Sequence, residues 1–249
     1  MDAKIYREMA ALEERHWWFA ARRKILDRML ATLPLPENPK ILEAGCGTGG
    51  NLGMLARYGK VYAMEANAEA LAFSAAKGIA QVSAGRLPNP IPFDGQQFDL
   101  IALLDVLEHL DEDAASLSAL RQRLKPGGWL LLTVPAHPFL WSRHDELHHH
   151  KRRYVAQGLR NLLSDSGYQV SYFSYFNTWL FPLIAAARLT GLGDNDNGDA
   201  VMPNKFTNTL LTKIFASERC LLGRISLPVG VSLLALARNP DHPHCATES

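Results

Sequence analysis

The chain has 249 residues, of which 47% are hydrophobic and 20% charged, a balance that supplies a core and excludes a wholly disordered protein. Its 26 basic and 25 acidic side chains leave a net charge of +1, so no overall positive field favours binding to nucleic acid. The three cysteines, Cys46, Cys220 and Cys245, form no CxxC pair. We therefore expect neither a disulfide framework nor a cysteine-based zinc site, and a reducing, cytoplasmic location.

The beginning of the chain predicts one helix over Lys4–Leu30, because apolar residues recur along it at a helical spacing. Three prolines shortly after it end that helix. The first ten residues contain no apolar run, so we expect no secretory signal. The most apolar stretch, Phe176–Leu192, contains Pro182 and Arg188 and falls short of the roughly 20 apolar residues that a transmembrane helix needs.

From residue 40 onward, short apolar runs alternate with segments of helical character. The predicted strands are Lys40–Glu43, Val61–Glu65, Ala80–Ser83, Leu100–Leu104, Trp129–Val134, Gln169–Tyr175 and Val231–Arg238. The predicted helices between them are Asn51–Tyr58, Ala68–Lys77, Asp113–Leu124 and Gln157–Ser166, and Pro126-Gly127-Gly128 predicts a turn. This alternation is typical of a parallel sheet covered by helices on both faces.

We interpret the chain as one α/β domain with an insertion near its end. Its expected parts are an N-terminal cap at 1–33, a core at 39–175, a helical insertion at 176–228, a last strand at 229–238 and a flexible tail at 239–249. The insertion includes a Gly/Asn/Asp-rich stretch, Gly191–Asp199, which predicts an exposed loop.

The strand at Lys40–Glu43 runs directly into a glycine-rich loop, Gly45–Gly50, which precedes a helix. Glycine allows a ligand close to the backbone, and a helix N-terminus supplies free N–H groups. Glu65 ends the second strand, where a carboxylate can accept hydrogen bonds from both hydroxyls of a ribose. Together these features indicate a cofactor that contains a nucleoside.

The glycine-rich loop is compatible with two kinds of cofactor. Gly45, Gly47 and Gly50 satisfy the GxGxxG pattern of dinucleotide-binding proteins, which makes an NAD(P)-dependent reductase or epimerase an alternative. Glu43 favours S-adenosylmethionine, because a carboxylate repels a pyrophosphate but attracts an α-ammonium group, by roughly 1 to 4 kcal/mol at about 4 Å. The chain also lacks the Tyr-x-x-x-Lys pair of such reductases. A module that binds S-adenosylmethionine without catalysis is a further alternative.

Four segments occur in a characteristic order: Glu43–Gly49, Phe98–Ile101, Asp105–Leu110 and Leu124–Gly128. With these motifs the chain resembles the class I S-adenosylmethionine-dependent methyltransferases, in particular the small-molecule group (methyltransferase types 11 and 12) that includes the ubiquinone and menaquinone enzymes. The resemblance covers roughly residues 39–175 and the last strand. It implies a doubly wound, Rossmann-like sheet of seven strands with a reversed last strand. It also implies methyl transfer that converts S-adenosylmethionine to S-adenosylhomocysteine.

The resemblance also implies a set of cofactor-binding residues. These are Glu43, Gly45, Cys46, Gly47, Glu65, Ala66, Arg86, Leu87, Asp105 and Val106. Glu43 and the glycines would face the methionine part, with Asp105 nearby, and Glu65 would hold the ribose. Where many relatives have an acid for the adenine amino group, this chain has Arg86, which has no acceptor atom. We therefore expect backbone carbonyls to bind that amino group.

Candidate residues for the acceptor follow the fourth and fifth strands. His109, Asp145 and His149 are candidate general bases, needed only if the acceptor must lose a proton. The candidate substrate contacts are Trp17, Trp18, Arg152, Arg153 and Tyr154. His144 and His148, four residues apart, would suit a metal ion, but methyl transfer requires none and we predict no metal site. Because helix neighbours point about 100° apart, we expect one of Trp17 and Trp18 to face away from the main packing.

The apolar insertion favours a hydrophobic or lipid-linked small-molecule acceptor, methylated at oxygen or carbon. Its surface would also suit peripheral membrane contact or a homodimer. Nucleic-acid methylation is disfavoured, because Asp105-Val106-Leu107 lacks the Asn/Asp-Pro-Pro-aromatic tetrad used around a flipped base.

Overall fold

A seven-stranded sheet forms the centre of the computed structural model, which describes residues 3–190 and 202–240. The strands are β1 (Lys40–Ala44), β2 (Lys60–Glu65), β3 (Gln81–Ala84), β4 (Phe98–Leu104), β5 (Leu124–Pro135), β6 (Gln169–Phe176) and β7 (Ser232–Arg238). Their spatial order is β3-β2-β1-β4-β5-β7-β6, and β7 runs antiparallel to both of its neighbours. This confirms the predicted Rossmann-like sheet with a reversed last strand. The strand order changes direction between β1 and β4, and ligands bind beyond the carboxyl ends of strands at such a point.

Helices cover both faces of the sheet. They are α1 (Ala3–Leu12), α2 (Trp17–Leu30), α3 (Leu52–Leu55), α4 (Ala68–Ala76), α5 (Asp113–Arg123), α6 (Arg143–Leu147), α7 (Ala156–Asp165), α8 (Phe181–Thr190) and α9 (Lys205–Ser217). One core layer contains Leu117 of α5 and Leu159 of α7, and the other contains Leu26 of α2 and Phe215 of α9. Every residue of β4 is buried, as expected for a strand with helices on both sides.

The single N-terminal helix predicted over Lys4–Leu30 is wrong, because the chain breaks between α1 and α2. Glu13 lies in that break and is 4% exposed. Its carboxylate accepts a hydrogen bond from Thr48 Oγ1 at 2.5 Å and pairs with Lys77 Nζ at 2.7 Å. The helical spacing of the apolar residues contains no sign of these long-range contacts. The contacts of Glu13 with Thr48 and Lys77 hold the end of α1 against the glycine-rich loop.

The expectation that one of Trp17 and Trp18 faces away from the packing is also wrong. The ring of Phe215 lies 6.1 Å from that of Trp17 and 5.2 Å from that of Trp18. Helix α9 lies against α2, so a single side chain reaches both indoles although they point in different directions. The insertion therefore supplies the surface that covers the second tryptophan.

Several element boundaries differ from the prediction. The helix after the glycine-rich loop is only one turn long, Leu52–Leu55. Strand β5 already begins at Leu124, so the predicted Pro-Gly-Gly turn lies inside this strand. There it produces a shift in the pairing register with β4, between Phe98 and Leu100. The predicted loop at Gly191–Asp199, Cys245 and most of the predicted tail lie outside the described residues. Among the helices that are described, none has the length and apolar character to cross a membrane.

Candidate active site

A cavity of about 820 Å³ lies at the carboxyl ends of the central strands. Its volume falls within the range of small-molecule sites, roughly 300 to 1,000 Å³. All the predicted cofactor positions except Glu43 line it, namely Gly45, Cys46, Gly47, Glu65, Ala66, Arg86, Leu87, Asp105 and Val106. The fold thus brings together residues from four separate loops at one site.

The glycine-rich loop has a backbone that only glycine adopts without strain. Gly45 and Gly47 have φ values of 75° and 54°. A Cβ added at Gly45 would lie 2.8 Å from Cγ2 of Val106, whereas one at Gly47 would meet nothing within 4 Å. The loop therefore packs tightly against the turn after β4 on one side and leaves open space beside Gly47.

Glu65 holds this loop against the end of β2. One carboxylate oxygen accepts a hydrogen bond from the Gly47 N–H at 2.8 Å, and the other accepts from the N–H groups of Ala66 and Asn67 at 2.9 Å each. The side chain lines the cavity. A carboxylate has about four acceptor positions, so these three bonds leave capacity for a hydroxyl donor.

Glu43, by contrast, does not line the cavity. It is 1% exposed and accepts a hydrogen bond from Asn51 Nδ2 at 2.8 Å, while its Oε2 has no hydrogen-bond partner among the described residues. Burial raises the pKa of this carboxyl to about 7. Between Glu43 and the cavity stands its partner Asn51, which does line the cavity.

Arg22 is a site residue that the sequence analysis missed. It comes from α2, is 6% exposed and donates a hydrogen bond to Asp105 at the tip of β4. Thr133 Oγ1 donates to the other oxygen of Asp105 at 3.0 Å. Because 83 residues separate Arg22 from Asp105, no local pattern could have indicated this pair.

Glu108, His109 and His150 meet on the acceptor side of the cavity. The rings of His109 and His150 lie 4.7 Å apart, and Glu108 is completely buried with no hydrogen bond to either carboxylate oxygen from the part of the chain that the structure describes. Burial lowers the pKa of His109 to about 3 and raises that of Glu108 to about 8. A general base works best with a pKa near the working pH, so His109 is poorly suited to that role.

Asp145, a predicted general base, does not reach the cavity. It is completely buried and receives two hydrogen bonds from Arg153, at 2.8 and 3.0 Å, and one from His150 Nδ1 at 2.8 Å. Burial by itself would raise the pKa of this carboxyl, but the His150 and Arg153 contacts outweigh burial and hold the pKa well below its ordinary value. Asp145 therefore positions its neighbours and is not available to a substrate. His149 is exposed and does line the cavity, so it stays a candidate.

Two of the predicted substrate contacts serve the fold instead. Arg152 Nη1 donates to Asp113 Oδ2 at 2.8 Å, and the Tyr154 hydroxyl donates to the same oxygen at 3.1 Å. Neither side chain lines the cavity, because Asp113 at the start of α5 holds this segment down. Arg153 lines the cavity, but its guanidinium is engaged by Asp145. Trp17 and Trp18 line the cavity, so they stay candidate substrate contacts.

The methyltransferase domain family matches residues 15–172, more than half of the chain, and the chain therefore belongs to this family. It is a class I methyltransferase whose cofactor is S-adenosylmethionine, which removes the NAD(P)-dependent alternative. The glycine cradle and the acceptor capacity of Glu65 fit that cofactor.

One curated relative and two solved structures are similar to this chain. The malonyl-[acyl-carrier protein] O-methyltransferase of Enterobacter lignolyticus is 29% identical over 154 residues, 57% of this chain and 60% of that protein, so the chain spans about 60% of the length of this relative. A Haloferax volcanii protein solved in complex with the Trm112 methyltransferase activator has a TM-score of 0.62 at 18% identity, covering 97% of this chain and 96% of that one. An S-adenosylmethionine-dependent methyltransferase from Mesorhizobium loti has a TM-score of 0.56 at 18% identity, covering 86% and 95%. Both structures share the fold.

The glycine positions give a first prediction. We expect Gly45→Ala to lower the free energy of unfolding by about 2 to 4 kcal/mol, from the strained backbone and the clash with Val106. Gly47→Ala carries the backbone strain without a clash and should therefore destabilise less. Its methyl group enters the open space beside the loop, so it should also weaken S-adenosylmethionine binding. Thermal unfolding and calorimetric titration separate the two effects. Gly78→Ala is the control, since Gly78 has a φ of 64° and no atom within 4 Å of an added Cβ, and lies away from the cavity. Equal destabilisation by all three variants would contradict the assignment.

Proposed function

We propose that this protein transfers the methyl group of S-adenosylmethionine to an oxygen of a small acceptor that has an extended apolar part. The observation that carries the proposal is that one cavity joins the glycine-rich loop to an apolar wall. The wall consists of Trp17, Trp18, Phe19, Ile184 and Ala187. The curated relative methylates an oxygen of malonyl-[acyl-carrier protein], which supports oxygen as the acceptor atom.

Different residues of the cavity bind different parts of S-adenosylmethionine. Glu65 and the glycine-rich loop bind the nucleoside part, and Asp105 and Asn51 line the cavity on the methionine side, with Glu43 buried behind Asn51. S-adenosylmethionine supplies a methyl group that is activated by its sulfonium. The protein then has to align the acceptor oxygen with that methyl group and exclude water, which can account for several kcal/mol of the barrier without a general base.

The insertion supports an apolar or lipid-linked acceptor. Ile184 and Ala187 of α8 line the cavity, whereas several other apolar side chains of α8 and α9 are exposed. They are Leu183, Leu189, Phe206 and Leu210. We infer that these side chains meet the apolar part of the acceptor or the lipid surface that carries it. The free thiols of Cys46 and Cys220 support the expected reducing, cytoplasmic location.

The proposal is tested with acceptors that share a carboxylate or phenolic head group and differ only in alkyl chain length. With S-adenosylmethionine as the donor, we expect kcat/KM to rise with chain length, by up to about fourfold for each methylene that becomes buried. Formation of S-adenosylhomocysteine is the readout. Methylation restricted to short, very polar acceptors would refute the apolar part of the proposal. Cofactor binding without turnover of any acceptor would favour a non-catalytic module.

Trp18 provides a second prediction for the same assay. Its indole stacks on Phe176 and Phe215 and lines the cavity. Trp18→Ala should therefore reduce the ratio of kcat/KM between long and short acceptors by about tenfold, roughly the value of one or two buried methylenes. A ratio is insensitive to the amount of folded enzyme. Trp179→Ala is the matched control, because Trp179 is 49% exposed and does not line the cavity. Equal ratios in both variants would remove Trp18 from the acceptor site.

A further inference from the structure

We propose that Glu108, His109 and His150 form a binding site for a divalent transition-metal ion, with Zn²⁺ as the ion that suits their chemistry. Each residue offers one ligand atom, and the three atoms lie within 4.8 Å of one another. Zn–N and Zn–O bonds of about 2.0 to 2.2 Å place neighbouring ligand atoms roughly 3.5 Å apart in a tetrahedral site. Small side-chain rotations therefore bring the three atoms to ligand distances. One carboxylate and two imidazoles are a common ligand set for zinc and similar metals.

Glu108 is the strongest single indication of a cation. Its side chain is completely buried, and neither carboxylate oxygen has a hydrogen-bond partner among the described residues. The nearby guanidinium groups of Arg22 and Arg153 donate to other carboxylates, those of Asp105 and Asp145. A buried carboxylate without partners is costly, and a metal ion held also by the two imidazoles would compensate it.

His150 is already oriented as a metal ligand. Its Nδ1 is bonded to Asp145 Oδ1 at 2.8 Å, which leaves Nε2 for a metal. Arg153 fixes Asp145 in turn through two hydrogen bonds. A histidine held by a carboxylate on its other nitrogen is the usual arrangement around protein-bound zinc. The backbone N–H of Lys151 donates to the Glu108 carbonyl at 2.8 Å and ties the two segments together.

This cluster differs from the metal pair considered from the sequence. The rings of His144 and His148 lie beside His150, at 5.9 and 6.0 Å, but the group of converging ligand atoms includes neither of them. All three proposed ligands line the cavity on its acceptor side, so the remaining coordination positions face the space that the acceptor enters. The metal would there bind an acceptor oxygen, a role that rests on the proposed function. It also assigns His109 as a ligand in place of a general base.

The experiment is a metal titration of the untagged, full-length chain after removal of bound metals with a chelator. We expect one Zn²⁺ per chain, measured by competition with a chromophoric chelator, and a visible Co²⁺ absorption spectrum of a low-coordinate nitrogen and oxygen site. Glu108→Gln and His150→Ala should each weaken Zn²⁺ binding by more than tenfold and abolish the Co²⁺ spectrum. His149→Ala is the matched control, because it lies in the same histidine tract outside the ligand group, and it should bind as the wild type does.

Two further measurements separate a loss of metal binding from a loss of folding or of cofactor binding. Thermal unfolding checks that the variants fold, and His109→Asn serves as an additional ligand variant, since His109 is only partly buried. Equal affinity in the wild type and Glu108→Gln, or equal loss in His149→Ala, would overturn the proposal. S-adenosylmethionine binding is titrated separately in the presence of chelator. Cofactor binding without metal binding would refute the metal site alone and leave the proposed function standing.

Discussion

Replacing Glu65 with alanine should weaken S-adenosylmethionine binding by about 5- to 150-fold, which corresponds to roughly 1 to 3 kcal/mol of charge-assisted hydrogen bonding. The loss has two sources. The ribose hydroxyls would lose the acceptor that we propose for them, and the N–H groups of Gly47, Ala66 and Asn67 lose theirs. Because the Gly47 bond holds the glycine-rich loop against β2, the variant also disturbs the cradle itself.

Calorimetric titration distinguishes these two sources when Glu65→Gln is measured beside Glu65→Ala. Glutamine keeps one acceptor oxygen and can hold either Gly47 or its neighbours, so its affinity should lie between those of the wild type and the alanine variant. Glu69→Gln is the control, since Glu69 lies on α4 close by and pairs with the exposed Arg7. An unchanged affinity for Glu65→Ala would remove Glu65 from the cofactor site.

The sheet and the glycine-rich loop were predictable because local patterns encode them. Apolar runs separated by helical segments specify strands buried on both faces, and a loop of this kind requires glycine wherever φ is positive, as at Gly45 and Gly47. The same local patterns place Glu65 at the end of β2. All these features depend on residues close together in the chain.

The parts that the sequence analysis missed depend on contacts between distant residues. The break between α1 and α2 exists because Glu13 binds Thr48 and Lys77, 35 and 64 residues further along the chain. The two tryptophans share a neighbour, Phe215, from the other end of the sequence. The periodicity of apolar residues indicates which face of a helix is buried, but it does not indicate which distant side chain covers that face.

The acceptor side shows a related difficulty with charged residues. The composition of the segment that follows β5 indicates a polar site, but it does not show which of the polar side chains hydrogen-bond to each other. Asp145 and Arg153 pair with one another, and Arg152 pairs with Asp113. Glu108, adjacent to the predicted His109, has no hydrogen-bond partner for its carboxylate within residues 3–190 and 202–240. Chemical availability follows from pairing and burial, and both are tertiary properties.

Replacing Asp145 with asparagine should lower the free energy of unfolding by about 3 to 5 kcal/mol, because removing one member of a buried ion pair leaves an uncompensated charge on Arg153. For a chain of this size that corresponds to a fall in Tm of roughly 6 to 20 °C. Asp111→Asn is the control, since Asp111 is 80% exposed and pairs with Lys151 at the surface, where ion pairs contribute little. Thermal and denaturant unfolding at neutral pH measure both variants.

The difference in stability between the wild type and Asp145→Asn should depend on pH in a defined direction. The pKa of the Asp145 carboxyl is lowered in the folded protein, since its contacts with His150 and Arg153 outweigh the effect of burial. Its contribution to stability is therefore fully present above the unfolded-state pKa of about 4 and is lost as the pH falls through the lower folded-state value. The gap in stability between the wild type and Asp145→Asn should stay constant near neutrality and narrow below about pH 4.

These measurements also decide between the two roles considered for Asp145. A general base replaced by asparagine would abolish turnover while leaving Tm nearly unchanged. A buried partner of Arg153 predicts a large fall in Tm instead. Replacing both partners, in Asp145→Leu with Arg153→Met, should recover part of the lost stability, because the buried guanidinium that Asp145 compensates at position 153 is then also removed. No recovery in the double variant, together with a normal Tm in Asp145→Asn, would show that the pair does not stabilise this part of the fold.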